Sequence, residues 1–203
     1  MFEKTLTDLI RGIRANKRNE HLYINTCLDE IRTELKSNDL YIKYLAVAKL
    51  SYLHMLGYDC SWAAFHIVEV MAAPKFMYKR CGYLAATQCF QQDTEVLMLC
   101  TNLLRKDLTS NTPAEVGVAL DGLAHIASPD LARDLSQDTL NLLHHSNPYI
   151  IKRATLTLYK VILKYPEALK VCFPLLKDHL EHPDPSVVSA VVNVVCELAR
   201  KNP

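Results

Sequence analysis

His179-Leu-Glu-His182 places two imidazoles where they could give a metal two of its ligands. Pro183 follows at a predicted helix end, and no third ligand stands at useful spacing, so no metal is expected there. His144-His145 precedes a turn and reads as a pair at a helix C-terminus, meeting the negative end of the helix dipole. The seven cysteines, at 27, 60, 81, 89, 100, 172 and 196, are odd in number and none forms Cys-x-x-Cys. Most lie among apolar residues, which predicts free core thiols in a reducing cytosol rather than disulfides or a thiol nucleophile. The five glycines, at 12, 57, 82, 117 and 122, make no Gly-x-Gly-x-x-Gly, no Walker loop and no Gly-x-Ser-x-Gly elbow. No catalytic set and no cofactor is expected, so an enzyme is the poorest reading.

What remains is electrostatic. Between Lys43 and Arg80 five basic residues (Lys43, Lys49, Lys75, Lys79, Arg80) face two acidic ones, Asp59 and Glu69, and six of the ten tyrosines fall between 41 and 83. Cations and tyrosines in that mixture can engage lipid headgroups or an acidic protein surface. The plainer alternative is that the tyrosines pack between repeats while the lysines solvate the rim. A net charge of +1 argues against a bulk nucleic-acid binder, and any basic site must be local. Glu3-Lys4 interrupts the start where a signal peptide would need an apolar core, and no run approaches the roughly 18 apolar residues of a membrane span. A soluble, unsecreted protein is expected.

The elements that must position these residues are helices. Phe2, Leu6, Leu9, Ile10 and Ile13 form one stripe; Leu22, Ile24, Cys27, Leu28, Ile31 and Leu35 form a second within Asn19 to Lys36. Ile42, Leu45, Ala46, Leu50, Leu53 and Leu56 recur at helical spacing until Gly57. Ser61 can then cap a helix carrying Trp62, Phe65, Ile67 and Val68. Phe76 to Phe90 and Val96 to Leu104 make the next pair, with Asp93 as N-cap. Thr112-Pro113, Ser128-Pro129, Asn147-Pro148 and Asp184-Pro185 each put a capping residue before a proline at the first helical position, and Thr112 to Glu115 spells a capping box. Pro174 sits inside a helix from Glu167 to Leu180, which it should bend.

Segments recur. Asn147-Pro-Tyr-Ile-Ile aligns with Asp184-Pro-Ser-Val-Val at a step of 37, and Ala46 matches Ala154 at 108, three steps of 36. Repeats of this length predict an all-α fold, an α-solenoid of HEAT or armadillo-like helical pairs. About eleven helices in a right-handed superhelix are expected, with residues 1–203 as one continuous domain and no linker. From Val187 to Leu198 nearly every side is apolar, which predicts cover on more than one side and, at Pro203, a natural chain that continues.

Met55-Leu-Gly-Tyr-Asp59, Ser61-Trp-Ala-Ala-Phe65, Glu69-Val-Met71, Lys79-Arg-Cys-Gly-Tyr-Leu-Ala-Ala86, Pro129-Asp-Leu-Ala-Arg-Asp134 and Tyr159-Lys-Val-x-Leu-Lys-Tyr-Pro-Glu167 span almost the whole chain. Together they resemble the N-terminal trunk of the large adaptins, most of all the delta branch of that family. The resemblance implies a cytosolic scaffold in a heterotetrameric vesicle-coat adaptor, peripheral to Golgi and endosomal membranes and sorting cargo to lysosome-like organelles. Implied partners are a beta-type large chain, a medium chain, a small chain and a GTP-loaded Arf GTPase, with weak attachment to an anionic membrane and no nucleic acid. Lys4, Lys43, Lys49, Lys79 and Arg80 are the candidate membrane or GTPase contacts, with Lys43 and Lys49 expected on the rim. In similar large chains a lysine run binds phosphoinositide, but Tyr44 and Leu45 stand where lysines would, and Ala46 at a tyrosine, so strong binding of that lipid is not implied. On architecture alone, a nuclear-transport or phosphatase-scaffold solenoid is the competing reading.

Overall fold

Apolar residues at helical spacing, closed by short polar turns, leave the backbone no hydrogen-bonding partners except its own helices. In the computed structural model, which describes residues 4–91 and 94–201, eleven α-helices result and no strand occurs among the described residues. Phe2, Asp93 and Pro203, which carried expectations above, lie outside the described residues.

The chain forms two units, Met1–Phe90 and Gln91–Pro203. The first holds α1 (Leu6–Ala15), α2 (Glu20–Leu35), α3 (Leu40–Met55), α4 (Ala64–Met71) and α5 (Phe76–Cys89). Here α2 packs on α1 and α3, while α5 packs on both α3 and α4. Its seam is Leu9, Ile24, Ile31, Leu35, Leu50, Leu53, Ile67 and Met71, all essentially fully buried. The second unit holds α6 (Leu97–Leu108), α7 (Pro113–Ile126), α8 (Pro129–Asn141), α9 (Pro148–Lys164), α10 (Ala168–Asp178) and α11 (Pro185–Lys201). α9 is its axis, in contact with α7, α8 and α11. Each large apolar side chain so buried contributes about 1.5–3 kcal/mol, against about 1 kcal/mol for a good N-cap, so packing holds the helices while caps decide where they start. No helix of the described residues is long and apolar enough to cross a membrane.

All four cap–proline pairs open helices. Ser128 Oγ accepts from Leu131 N, Asn147 Oδ1 from Tyr149 N and Asp184 Oδ1 from Ser186 N. Thr112 differs: its side chain makes no cap bond, and the expected capping box is absent. Ser110 takes up the N-cap amide instead, accepting from Thr112 N at 3.1 Å, and donates to Glu115 Oε2 at 2.5 Å. A capping box does form at Thr5-Leu-Thr-Asp8, where each side chain accepts from the other's backbone amide. Ser61 does not cap α4 either. Asp59 accepts from the Ser61 amide and hydroxyl, Ser61 to Ala63 form a 3-10 turn, and α4 begins only at Ala64. Gly57, at φ 96°, turns the chain after α3.

Two of the histidines of the second unit share a structural task. His145 Nδ1 accepts from Asn147 N at 2.9 Å, and His182 Nδ1 accepts from Asp184 N at 3.0 Å, 37 positions on. Each imidazole orients the cap residue of the helix that follows, and His144 and His145 stand at the C-terminal end of the 3-10 segment Leu142–His144. α11 is also less enclosed than expected. Val187, Val191, Val194 and Leu198 are buried, but Val192 is 42% exposed and Ser189, Asn193 and Cys196 face solvent, so this is a one-sided amphipathic helix.

Candidate functional site

The basic residues singled out in the first unit are mostly committed to carboxylates. Lys49, on α3, is only 3% exposed; its Nζ donates to both oxygens of Glu34, at 2.7 and 2.5 Å, and to the backbone carbonyl of Lys4 at 3.0 Å. All three ammonium protons are therefore used, and one side chain ties the entry of α1, the last turn of α2 and the middle of α3. Lys4 Nζ contacts both Glu30 oxygens at 2.8 Å and lies 5.7 Å from the Tyr23 ring centre. The Glu30 hydrogen bond holds the Lys4 ammonium above its ordinary pKa despite partial burial.

Lys43 repeats that pair one step along. Its Nζ contacts both oxygens of Glu69 at 2.8 Å, and His66 Nδ1 bonds Glu69 Oε2 at 2.8 Å. Burial pushes the Glu69 carboxyl up, but the hydrogen bonds from Lys43 and His66 outweigh it and leave the group below the usual carboxylate range. Lys4 to Glu30 and Lys43 to Glu69 are both spacings of 26, offset by 39 residues. That double spacing is the one sign of these ties in the sequence.

The expectation that Lys43 and Lys49 stand on the rim is therefore corrected. Lys49 is buried and Lys43, with 14% of its side chain exposed, is a tie between α3 and α4. Lys79, on α5, is also buried, whereas Arg80 is exposed. The tyrosines divide likewise. Tyr83 is buried, and Tyr44 stacks on Tyr78 with ring centres 4.6 Å apart. Tyr41 lies 6.3 and 6.2 Å from these two rings, and Lys75 Nζ lies 4.7 Å from the Tyr78 ring centre. Packing of Tyr44, Tyr78 and Tyr83 thus accounts for half of those six tyrosines, and Arg80, Lys75 and Tyr41 stay exposed.

The remaining reactive groups are quiet. Burial pushes the Cys60 thiol to about 12 and those of Cys81, Cys89, Cys100 and Cys172 to about 11, so none is a thiolate at neutral pH. The His179 and His182 rings meet edge to face at 5.8 Å, and among the described residues no group of three or more histidine, cysteine or acidic side chains could hold a metal.

The first unit carries repeated lysine–glutamate ties and the second repeated histidine contacts to cap residues. Residues 20–203 match the family model described as the adaptin N-terminal region. The AP-3 complex subunit delta-1 of Bos taurus is 59% identical over the whole chain, and the AP-3 complex subunit delta of Schizosaccharomyces pombe is 54% identical over the same span. The chain covers 17% and 25% of those two relatives. A homology model of the full-length AP-3 complex in an intermediate open conformation matches 81% of this chain with a TM-score of 0.73 at 50% identity, over 29% of its own chain. This chain belongs to the adaptin family, as a stretch of the N-terminal region of its delta branch.

Proposed function

We propose that the chain is part of the scaffold trunk of a large subunit in a heterotetrameric vesicle-coat adaptor, and that it has no catalytic role. The observation that carries this reading is identity of 54–59% along its whole length to delta subunits of AP-3 complexes. Its two units serve as consecutive parts of one longer helical trunk, and its partners are a beta-type large chain, a medium chain and a small chain. The assembly sorts cargo from Golgi and endosomal membranes toward lysosome-like organelles, and the protein works in the cytoplasm as a peripheral component of those membranes.

Recruitment by a GTP-loaded Arf GTPase belongs to the same reading. A basic side chain at an anionic leaflet contributes about 1 kcal/mol, and Lys4, Lys43 and Lys49 are already held by Glu30, Glu69 and Glu34. The lipid contribution of this region then falls to Arg80 and Lys75, too little to hold a protein on a membrane alone, so a GTPase is needed as the second signal.

The test is co-expression of the chain with tagged small, medium and beta-type subunits, followed by affinity capture and gel filtration. A stoichiometric complex containing the small chain is expected. Failure of every subunit to co-purify with a folded chain overturns the scaffold reading. Liposome flotation with and without GTP-loaded Arf separates recruitment from assembly: retention is expected only with the GTPase, and equal retention without it refutes the two-signal account.

A further inference from the structure

In the second unit, α7 and α9 run together and enclose a cleft of about 400 Å³ between their outward faces. Its floor is fixed by two close contacts. Thr157 Oγ1, fully buried, donates to the Leu120 carbonyl at 3.1 Å, and the Tyr149 hydroxyl comes so near Gly117 that a Cβ there would stand 2.4 Å from it. Glycine at 117 is what lets the tyrosine ring lie against α7. The Arg153 guanidinium sits 4.9 Å from that ring and is paired with Asp121, which cancels the carboxylate at the cleft wall.

The charge left over is positive. Lys152 and Lys160 are both exposed at the cleft, and neither has a carboxylate within ion-pair distance among the described residues. Between them lies Leu156, 43% exposed, beside Tyr149, 42% exposed. Lys152, Leu156 and Lys160 follow at four-residue steps on one face of α9, so the two lysines are separated by about 12 Å along the helix. This is the reverse of Lys4, Lys43 and Lys49 in the first unit, which are held by glutamates of the fold.

We propose that this cleft receives an acidic segment of a partner protein, bound extended, with an apolar side chain on Leu156 and Tyr149 between two carboxylates that meet Lys152 and Lys160. An extended chain advances about 3.3 Å per residue, so carboxylates four residues apart match the lysine spacing. A segment rather than a bilayer is favoured because the apolar surface lies inside the concavity between the cations, where a flat headgroup layer does not reach. The chemistry of the cleft is independent of the assembly the chain joins, so this proposal and the scaffold reading fail separately.

The experiment is fluorescence anisotropy of a labelled peptide with two glutamates four apart and a leucine midway, titrated with the 203-residue chain. Its glutamine counterpart and phosphatidylserine vesicles serve as the other probes. Saturable binding of the acidic peptide is expected, with at least about a tenfold loss on changing glutamate to glutamine and a comparable loss at high salt. Lys152→Glu with Lys160→Glu should abolish binding, and Leu156→Ser should weaken it about tenfold; all three positions are exposed, and an unchanged circular dichroism melt confirms that each variant is folded. No saturable binding, equal binding of the glutamine peptide, or equal binding by the charge-reversed variant overturns the proposal. So does tighter capture by the vesicles through the same two lysines.

Discussion

Lys49→Met removes the ammonium but keeps most of the side-chain volume, leaving the Glu34 carboxylate and the Lys4 carbonyl without their donor. Glu34 has 15% of its side chain exposed and Lys49 3%, so little water can replace the lost bonds. Removing one member of a fully buried pair costs about 3–5 kcal/mol, and the slight exposure of Glu34 lowers the expectation to about 2–4 kcal/mol. Urea unfolding followed by circular dichroism measures the loss as a shift of midpoint at constant slope. The loss should arise from the stranded carboxylate rather than from the pair's own attraction, so Lys49→Met combined with Glu34→Gln should recover a large part of it. A Lys49→Met unfolding free energy within about 0.5 kcal/mol of wild type would refute the burial of this pair, and a double variant no better than additive would refute the stranded-charge account. Had Lys49 stood on the rim, the same change would be nearly silent.

Val191→Asp puts a carboxylate at a fully buried site on α11 and should cost about 3 kcal/mol or more in the same assay; a small effect would mean the α9–α11 seam is misassigned. The lowered Glu69 carboxyl contributes stability that is present above the ordinary carboxylate range and lost as pH falls through its folded value. Melting temperature should therefore drop on acidification, and Glu69→Gln should flatten that limb, as a pH series of melts would show. Thiol labelling at neutral pH should modify exposed Cys196 at once and leave Cys60, with its thiol near 12, unreacted until the first unit opens, which timed mass spectrometry resolves.

Helix positions were legible because the forces that set them are local. Ser128, Asn147 and Asp184 cap helices begun by the prolines beside them, and stripes such as Ile24, Cys27, Ile31 and Leu35 state which face is buried. Side-chain fates were legible only where the partner is near in the chain. Even a near partner can mislead: Ser110, two residues before it, takes the Thr112 amide that a capping box would give to Glu115. The valines of α11 read as buried all round, since hydropathy counts methyl groups but not neighbours, and α11 has a neighbour on one side only for Val191 and its row.

What the sequence determined by itself was the helical class, the repeat, the capped starts and the kinship carried by strings such as Lys79 to Ala86. What only the tertiary structure decided was where charge is spent. Lys43 and Lys49 look like surface lysines in any local window, yet their partners stand 26 and 15 residues away, while Lys152 and Lys160 look the same and have no carboxylate within ion-pair distance among the described residues. A helix period says which residues share a face. It does not say which carboxylate the packing of another helix brings within 3 Å, nor how deeply the pair is buried, and the Coulomb energy and the cost of desolvation depend on both.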